Sequence, residues 1–93
     1  YILIMNIQHA DDKFCTNIDG MKCELIYNVY ENKMDIYHLF TPPELRGRGI
    51  SEKLVLAAFE FAKQHNLKVV PSCSYIKEVF LKNHKEFNEM IEE

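Results

Sequence analysis

Halfway along the chain the spacing of apolar side chains changes period, and the change falls on Thr41-Pro42-Pro43. Before it, Phe14, Thr16 and Ile18 alternate with Lys13, Cys15 and Asn17. Cys23, Leu25, Tyr27 and Val29 then alternate with Glu24, Ile26, Asn28 and Tyr30. After it, Leu54, Ala57, Ala58, Phe61 and Ala62 recur at three- and four-residue steps, while Glu52, Lys53, Glu60, Lys63 and Gln64 fall on the outward positions. A period of two puts alternate side chains on one face of a strand, and a period of about 3.6 lines them along one stripe of a helix. Proline cannot donate to a β-ladder, so the two prolines close the first regime. The chain is sheet first and helix second.

Turn residues divide the sheet half. Asp19-Gly20 stands between two alternating runs, and both central residues of a type I′ turn need positive φ, which this pair tolerates. Glu31-Asn32-Lys33 makes a second turn. Strands are expected over 2–9, 13–18, 21–30 and 34–40, as an antiparallel meander. The helix runs from Ile50 for about four turns and stops at His65-Asn66, where asparagine accepts a left-handed cap. Leu67-Lys68-Val69-Val70 reads as a short buried strand closed by Pro71. Strand, crossover helix and strand form a βαβ unit, so 34–40 and 67–71 should pair in parallel. A helical stretch over 74–83 carries Ile76, Val79 and Phe80, and Phe87 with Ile91 suggests a short tail helix. The fold class is α+β: an antiparallel β-meander, then a βαβ unit and a C-terminal helix, in one domain over residues 1–93.

Charge and cysteine usage narrow the function. A net charge of −3 argues against a general nucleic-acid partner, which needs a broad basic face. Arg46, Arg48 and Lys53 are instead clustered, which suits one small polyanion. Three cysteines make no even disulfide set and show no metal-ligand spacing, so a reducing, cytoplasmic setting without metal is expected. The apolar opening Tyr1-Ile2-Leu3-Ile4-Met5 is too short to cross a bilayer, and no membrane partner is expected.

Arg46-Gly47-Arg48-Gly49 lies between a strand and the first turn of the long helix. Glycines let backbone approach an anion closely, and a helix start offers N–H groups without intrahelical acceptors. The helix dipole adds partial positive charge at that end. The segment Leu39-Phe40-Thr41-Pro42-Pro43-Glu44-Leu45-Arg46-Gly47-Arg48-Gly49-Ile50, with Lys53-Leu54, resembles the signature of the GNAT superfamily of N-acetyltransferases, an R/Q-x-x-G-x-G/A stretch. Arg46 fills its first place and Gly49 its second, whereas Ser51 stands where the family prefers glycine or alanine. Leu67 to Tyr75 and Lys82 to Phe87 are similar to segments of a compact single-domain GNAT-like subfamily.

The resemblance implies acetyl-CoA as cosubstrate, lying in a V-shaped opening between the two parallel strands. Leu39, Phe40 and Thr41 would pair through their backbone with the pantetheine arm. The backbone of Arg46, Gly47, Arg48, Gly49, Ile50 and Ser51 would hold the diphosphate. Acetyl transfer to a primary amine is then expected, in a small molecule or a protein lysine. The alternative is a CoA-binding module without turnover.

Three residues are candidates for the chemistry. Cys73 directly follows the second parallel strand and is either a nucleophilic thiol that takes part in transfer or a small buried hydrophobe. His38, alternating with Ile36 and Phe40, is either a general base or a histidine hydrogen-bonded across the sheet. Tyr75 either packs or, as the resemblance implies, donates a proton to the departing thiolate. The sequence names neither the acceptor nor the oligomeric state.

Overall fold

The computed structural model describes residues 6–92 and has one five-stranded sheet in the order β1-β2-β3-β4-β5. The strands are β1 (Gln8–Ala10), β2 (Lys13–Ile18), β3 (Met21–Tyr30), β4 (Lys33–Phe40) and β5 (Lys68–Pro71). A 3₁₀ turn (Pro43–Leu45) leads to helix α1 (Ile50–Gln64). Helical turns at Ser74-Tyr75 pass into a π-helical stretch, Ile76–Phe80, then α2 (Leu81–Asn83) and a 3₁₀ segment, Lys85–Met90. Among the described residues no helix is long and apolar enough to cross a membrane.

The alternation in sequence becomes a sheet with one buried face. Phe14, Cys23, Leu25, Tyr27, Met34, Ile36 and Val69 are buried and share a core with Ile50, Leu54, Val55, Ala58, Phe59 and Ala62 of α1. Asp19 and Gly20 both take positive φ, 55° and 78°, as the tight turn between β2 and β3 requires. Asn66 takes φ 56° just past α1, the left-handed helix end expected of it. β4 and β5 pair in parallel, which completes the βαβ unit.

Three features differ from the sequence expectation. The first strand is Gln8–Ala10 rather than 2–9, and residues 2–5 of that expectation lie outside the described ones. The tail makes no α-helix: after the 3₁₀ segment Ile91 turns extended and bridges Val69, and the Glu92 N–H donates to the Val69 carbonyl at 2.8 Å. The i, i+4 spacing of Phe87 and Ile91 looked helical, but the two residues serve different neighbours. Phe87 packs on Phe59 at 5.0 Å, while Ile91 extends the edge of β5.

The third difference sets up the site. The register of β3 and β4 shifts so that Tyr27 opposes Ile36 and Ile26 opposes His38, leaving Tyr37 as an extra residue. A bulge of this kind turns the following side chains to the other face. Ile36 is therefore buried, while His38 and Phe40 are exposed on the face away from α1. The expected alternation of Ile36, His38 and Phe40 on one face is broken by that single residue.

Candidate functional site

The site grows out of the place where β4 and β5 part. Their pairing ends at Ile36 and Pro71, and the Cys73 N–H then donates to the Ile36 carbonyl at 3.0 Å. Beyond that bond β4 continues to Phe40, paired with β3 but with nothing from β5 beside it. A strand edge of this sort presents unpaired N–H and C=O groups. Cys73 stands at the vertex of the opening.

The opening continues into a cavity of about 400 Å³ lined by Leu39, Thr41, Leu45, Arg46, Gly47, Gly49, Ile50, Ser51, Glu52 and Tyr75. Gly47 and Gly49 have φ of 86° and 77°, a region that L side chains rarely adopt. A Cβ on either would meet nothing within 4 Å, so the space above the bend is open to a ligand. Gly49 is the N-cap of α1 and brings no capping side chain, so the first-turn N–H groups of α1 have no side-chain cap there. The rim is pre-set: the Arg46 Nε donates to the Thr41 carbonyl at 3.1 Å, and the Thr41 and Ser51 hydroxyls lie 2.7 Å apart. Glycine bend, open helix start and arginine form a donor set suited to a diphosphate.

The sequence candidates divide. Leu39, Thr41, Arg46, Gly47, Gly49, Ile50, Ser51 and Tyr75 meet at the cavity. Phe40 is exposed and does not line it, and Arg48 is drawn aside to Asp19 at 3.1 Å. His38 lies on the opposite sheet face, with Nε2 3.6 Å from a Glu24 carboxylate oxygen. The Tyr75 phenol is pushed above its ordinary pKa by burial, then by the charge of Glu52 and by Cys73, so it stays protonated. Cys23 is wholly buried in the core, and its thiol is likewise pushed up by burial.

Glu52 and His84 were not among the candidates. The helical period puts Glu52 outward, yet it lines the cavity, and its Oε2 lies 2.5 Å from His84 Nε2. The sequence carried no signal for it, since a carboxylate in the first turn of a helix is favoured by the helix dipole wherever it occurs.

With this geometry in view, the family is decided by direct comparison. The family model described as GCN5-related N-acetyl-transferase matches residues 13–90. The chain belongs to that family. The chain is similar to protein NATD1 of Xenopus tropicalis, 31% identical over 74 residues that span 76% of this chain and 68% of the relative. An uncharacterised N-acetyltransferase of Archaeoglobus fulgidus is 42% identical over 45 residues, 46% of this chain and 31% of that protein. The solution structure of a GCN5-like protein from Staphylococcus aureus superposes with a TM-score of 0.75 at 30% identity, covering 94% of this chain and 87% of the other. The GCN5-related match covers β2 to β5, the glycine bend, α1 and the segment bearing Tyr75 and His84.

Proposed function

We propose that this domain binds acetyl-CoA in the opening between β4 and β5 and transfers the acetyl group to a primary amine, of a small molecule or a protein lysine. The observation that carries the reading is the continuity of the unpaired β4 edge with the glycine-bent start of α1, along one cavity. The edge at Leu39, Phe40 and Thr41 is suited to pairing with an amide-bearing pantetheine arm as an added strand would. Amides from Arg46 to Ser51, Gly47, Arg48, Gly49 and Ile50 included, are suited to the diphosphate, with Arg46 supplying counter-charge. Bound acetyl-CoA supplies the activated acyl group.

In this proposal the protein's own groups position and move protons. A strand N–H at the β4 edge polarises the carbonyl. The protonated Tyr75 phenol supplies the proton that the departing thiolate takes up. His38, beside Glu24 on the open sheet face, takes the proton released by an amine arriving from that side. In the relay form of this proposal the Cys73 sulfur attacks the thioester carbon as the CoA C–S bond breaks, its proton balancing the one Tyr75 gives to the departing CoA thiolate. The amine then takes the acetyl group and releases the Cys73 thiol. All three thiols are free, which suits a reducing cytoplasm.

The test pairs binding with turnover. Titration of the wild type with CoA should produce amide shifts in residues 46–51, and incubation with acetyl-CoA and a panel of amines should yield acetylated product. Cys73→Ala should keep CoA affinity within about threefold while turnover falls by about a hundredfold or more. Tight CoA binding with no turnover on any amine would leave a CoA-binding module. An absence of amide shifts on CoA addition would overturn the site itself.

A further inference from the structure

β4 and β5 stay in step from Lys33 beside Lys68 to Ile36 beside Pro71. At the start of that pairing the Lys68 N–H donates to the Asn32 carbonyl at 3.1 Å. In a parallel ladder alternate residues of a strand donate at even spacing, so each bond falls two residues further along both strands. Counted from Lys68 and Asn32, the residue due at the Ile36 carbonyl is Ser72. Cys73 stands there instead, its N–H donating to that carbonyl at 3.0 Å, while the Ser72 N–H turns back to the Val70 carbonyl at 3.0 Å. One residue has been squeezed out of the ladder, as in a β-bulge.

The squeezed-out residue is tied down. The Ser72 hydroxyl donates to the Asp35 carboxylate at 2.6 Å. Asp35 lies opposite Val70, one residue before Ile36, so the bond bridges the two strands directly below the point where they part. A hydrogen bond to a carboxylate is shorter and stronger than one between neutral groups. On the other flank of Ile36, Tyr37 is the extra residue between β4 and β3, so β4 is stepped on both sides at one level.

Everything after Ser72 takes its place from this step. The Cys73 carbonyl accepts from the Ile76 N–H at 3.2 Å, which opens the helical turns that carry Tyr75. If Ser72 took the Ile36 carbonyl, Cys73 would move on by one strand step, about 3.3 Å, and turn to the other face. A misplacement of about 1 Å can already cost about a hundredfold in rate. The register error is several times larger.

We propose that Ser72, held out of the ladder by Asp35, sets the register that seats Cys73 and, two residues on, Tyr75 at the vertex of the opening. Ser72 and Asp35 are then positioning residues for acetyl transfer, acting through Cys73 and Tyr75. The inference rests on the transfer reading and adds two residues to it.

NMR couplings across hydrogen bonds read the register itself, with or without ligand. In the wild type the Cys73 amide should couple to the Ile36 carbonyl and the Ser72 amide should not. Ser72→Ala and Asp35→Ala should weaken that coupling or pass it to residue 72, and kcat for an accepted amine should fall by about tenfold or more. KM for acetyl-CoA should stay within about threefold, since the glycine bend is untouched. Ser72→Thr keeps the hydroxyl and Asp35→Asn an acceptor oxygen, and both should recover the coupling and most of kcat. The double alanine variant should be no worse than either single one. A thermal melt of each variant checks that the fold persists. A wild-type coupling from Ser72 in place of Cys73, or an active wild type whose Ser72→Ala variant keeps the coupling or loses it without a fall in kcat, would overturn the inference alone. A wild type that acetylates no amine would overturn the transfer reading beneath it.

Discussion

The two ends of helix α1 rest on the same sheet and are finished in opposite ways. At its C-terminal end the space above β1–β3 is filled by rings. His9 stacks on Phe14 at 4.0 Å and 7°, Phe61 meets His9 at 4.7 Å, and His65 closes over Phe61 at 4.3 Å. Tyr27 joins them, donating its hydroxyl hydrogen to the Asp11 carbonyl at 3.1 Å and hydrogen-bonding with His9 Nε2. At the N-terminal end the chain places glycines, and a cavity of about 400 Å³ remains. Over β1–β3 one end contributes packing and the other gives packing up. On the β5 side a further opening of about 530 Å³ lies beside the C-terminal end, lined by Glu60, Lys63, Leu67, Phe87 and Met90 among others. A binding site can be carved beside this core because the apolar packing is concentrated over β1–β3 and along the middle of α1.

That division predicts a double dissociation. The largest effect on stability should come from the filled end. Phe14 is 5% exposed and sits among three other rings. Phe14→Ala removes most of those contacts and should cost about 3–5 kcal/mol, a large fraction of the roughly 5–15 kcal/mol that holds a domain folded. Chemical denaturation measures the loss. CoA affinity of the folded fraction should stay within about threefold, because the glycine bend lies at the other end of α1. A Phe14→Ala protein that keeps wild-type stability, or that loses CoA binding while still folded, would break the comparison.

The open end should answer the other way. Gly49→Glu places a side chain, and a negative one, over the start of α1 at φ 77°. CoA affinity should fall by about a hundredfold or more, from lost access and added repulsion together. The strain of that backbone should cost only about 1–2 kcal/mol of stability. Comparing CoA-induced melting shifts of wild type and variant measures both at once. A normal CoA-induced shift in Gly49→Glu would remove the basis for placing the diphosphate at this bend.

The filled end and the open end were not equally legible. The ladders, Asp19-Gly20, the helix and the parallel return strand all follow from local spacing, because each is fixed by neighbours within a few residues. The glycine bend was readable for the same reason. The face of His38 was not, because an extra residue at Tyr37 leaves an unbroken run of strand-forming side chains and only the register with β3 reveals it. Glu52 does face outward, with 42% of its side chain exposed, but nothing within α1 shows that His84, thirty-two positions on, pairs with it. What escaped the sequence in both cases is a relation between segments distant along the chain.

The smallest expected effect compares two tyrosines, one at each end. Burial holds the Tyr27 phenol above its ordinary value, with Asp12 and Asp11 adding to it, and burial first and Glu52 next do the same for Tyr75. A group whose folded-state pKa is raised binds its proton more tightly in the native protein than in the unfolded chain. Its contribution to stability is therefore complete below the unfolded tyrosine value of about 10 and is lost as pH climbs through the folded one. The domain should thus lose stability in alkali, and both Tyr27→Phe and Tyr75→Phe should flatten that loss in denaturation curves taken on either side of the transition. Only one of them should respond to CoA. If ligand fills the cavity beside Tyr75, CoA should move the ultraviolet titration of that phenol and leave Tyr27 where it was. Equal movement of both, or of neither, would mean that the open end is no more accessible to CoA than the ring-filled one.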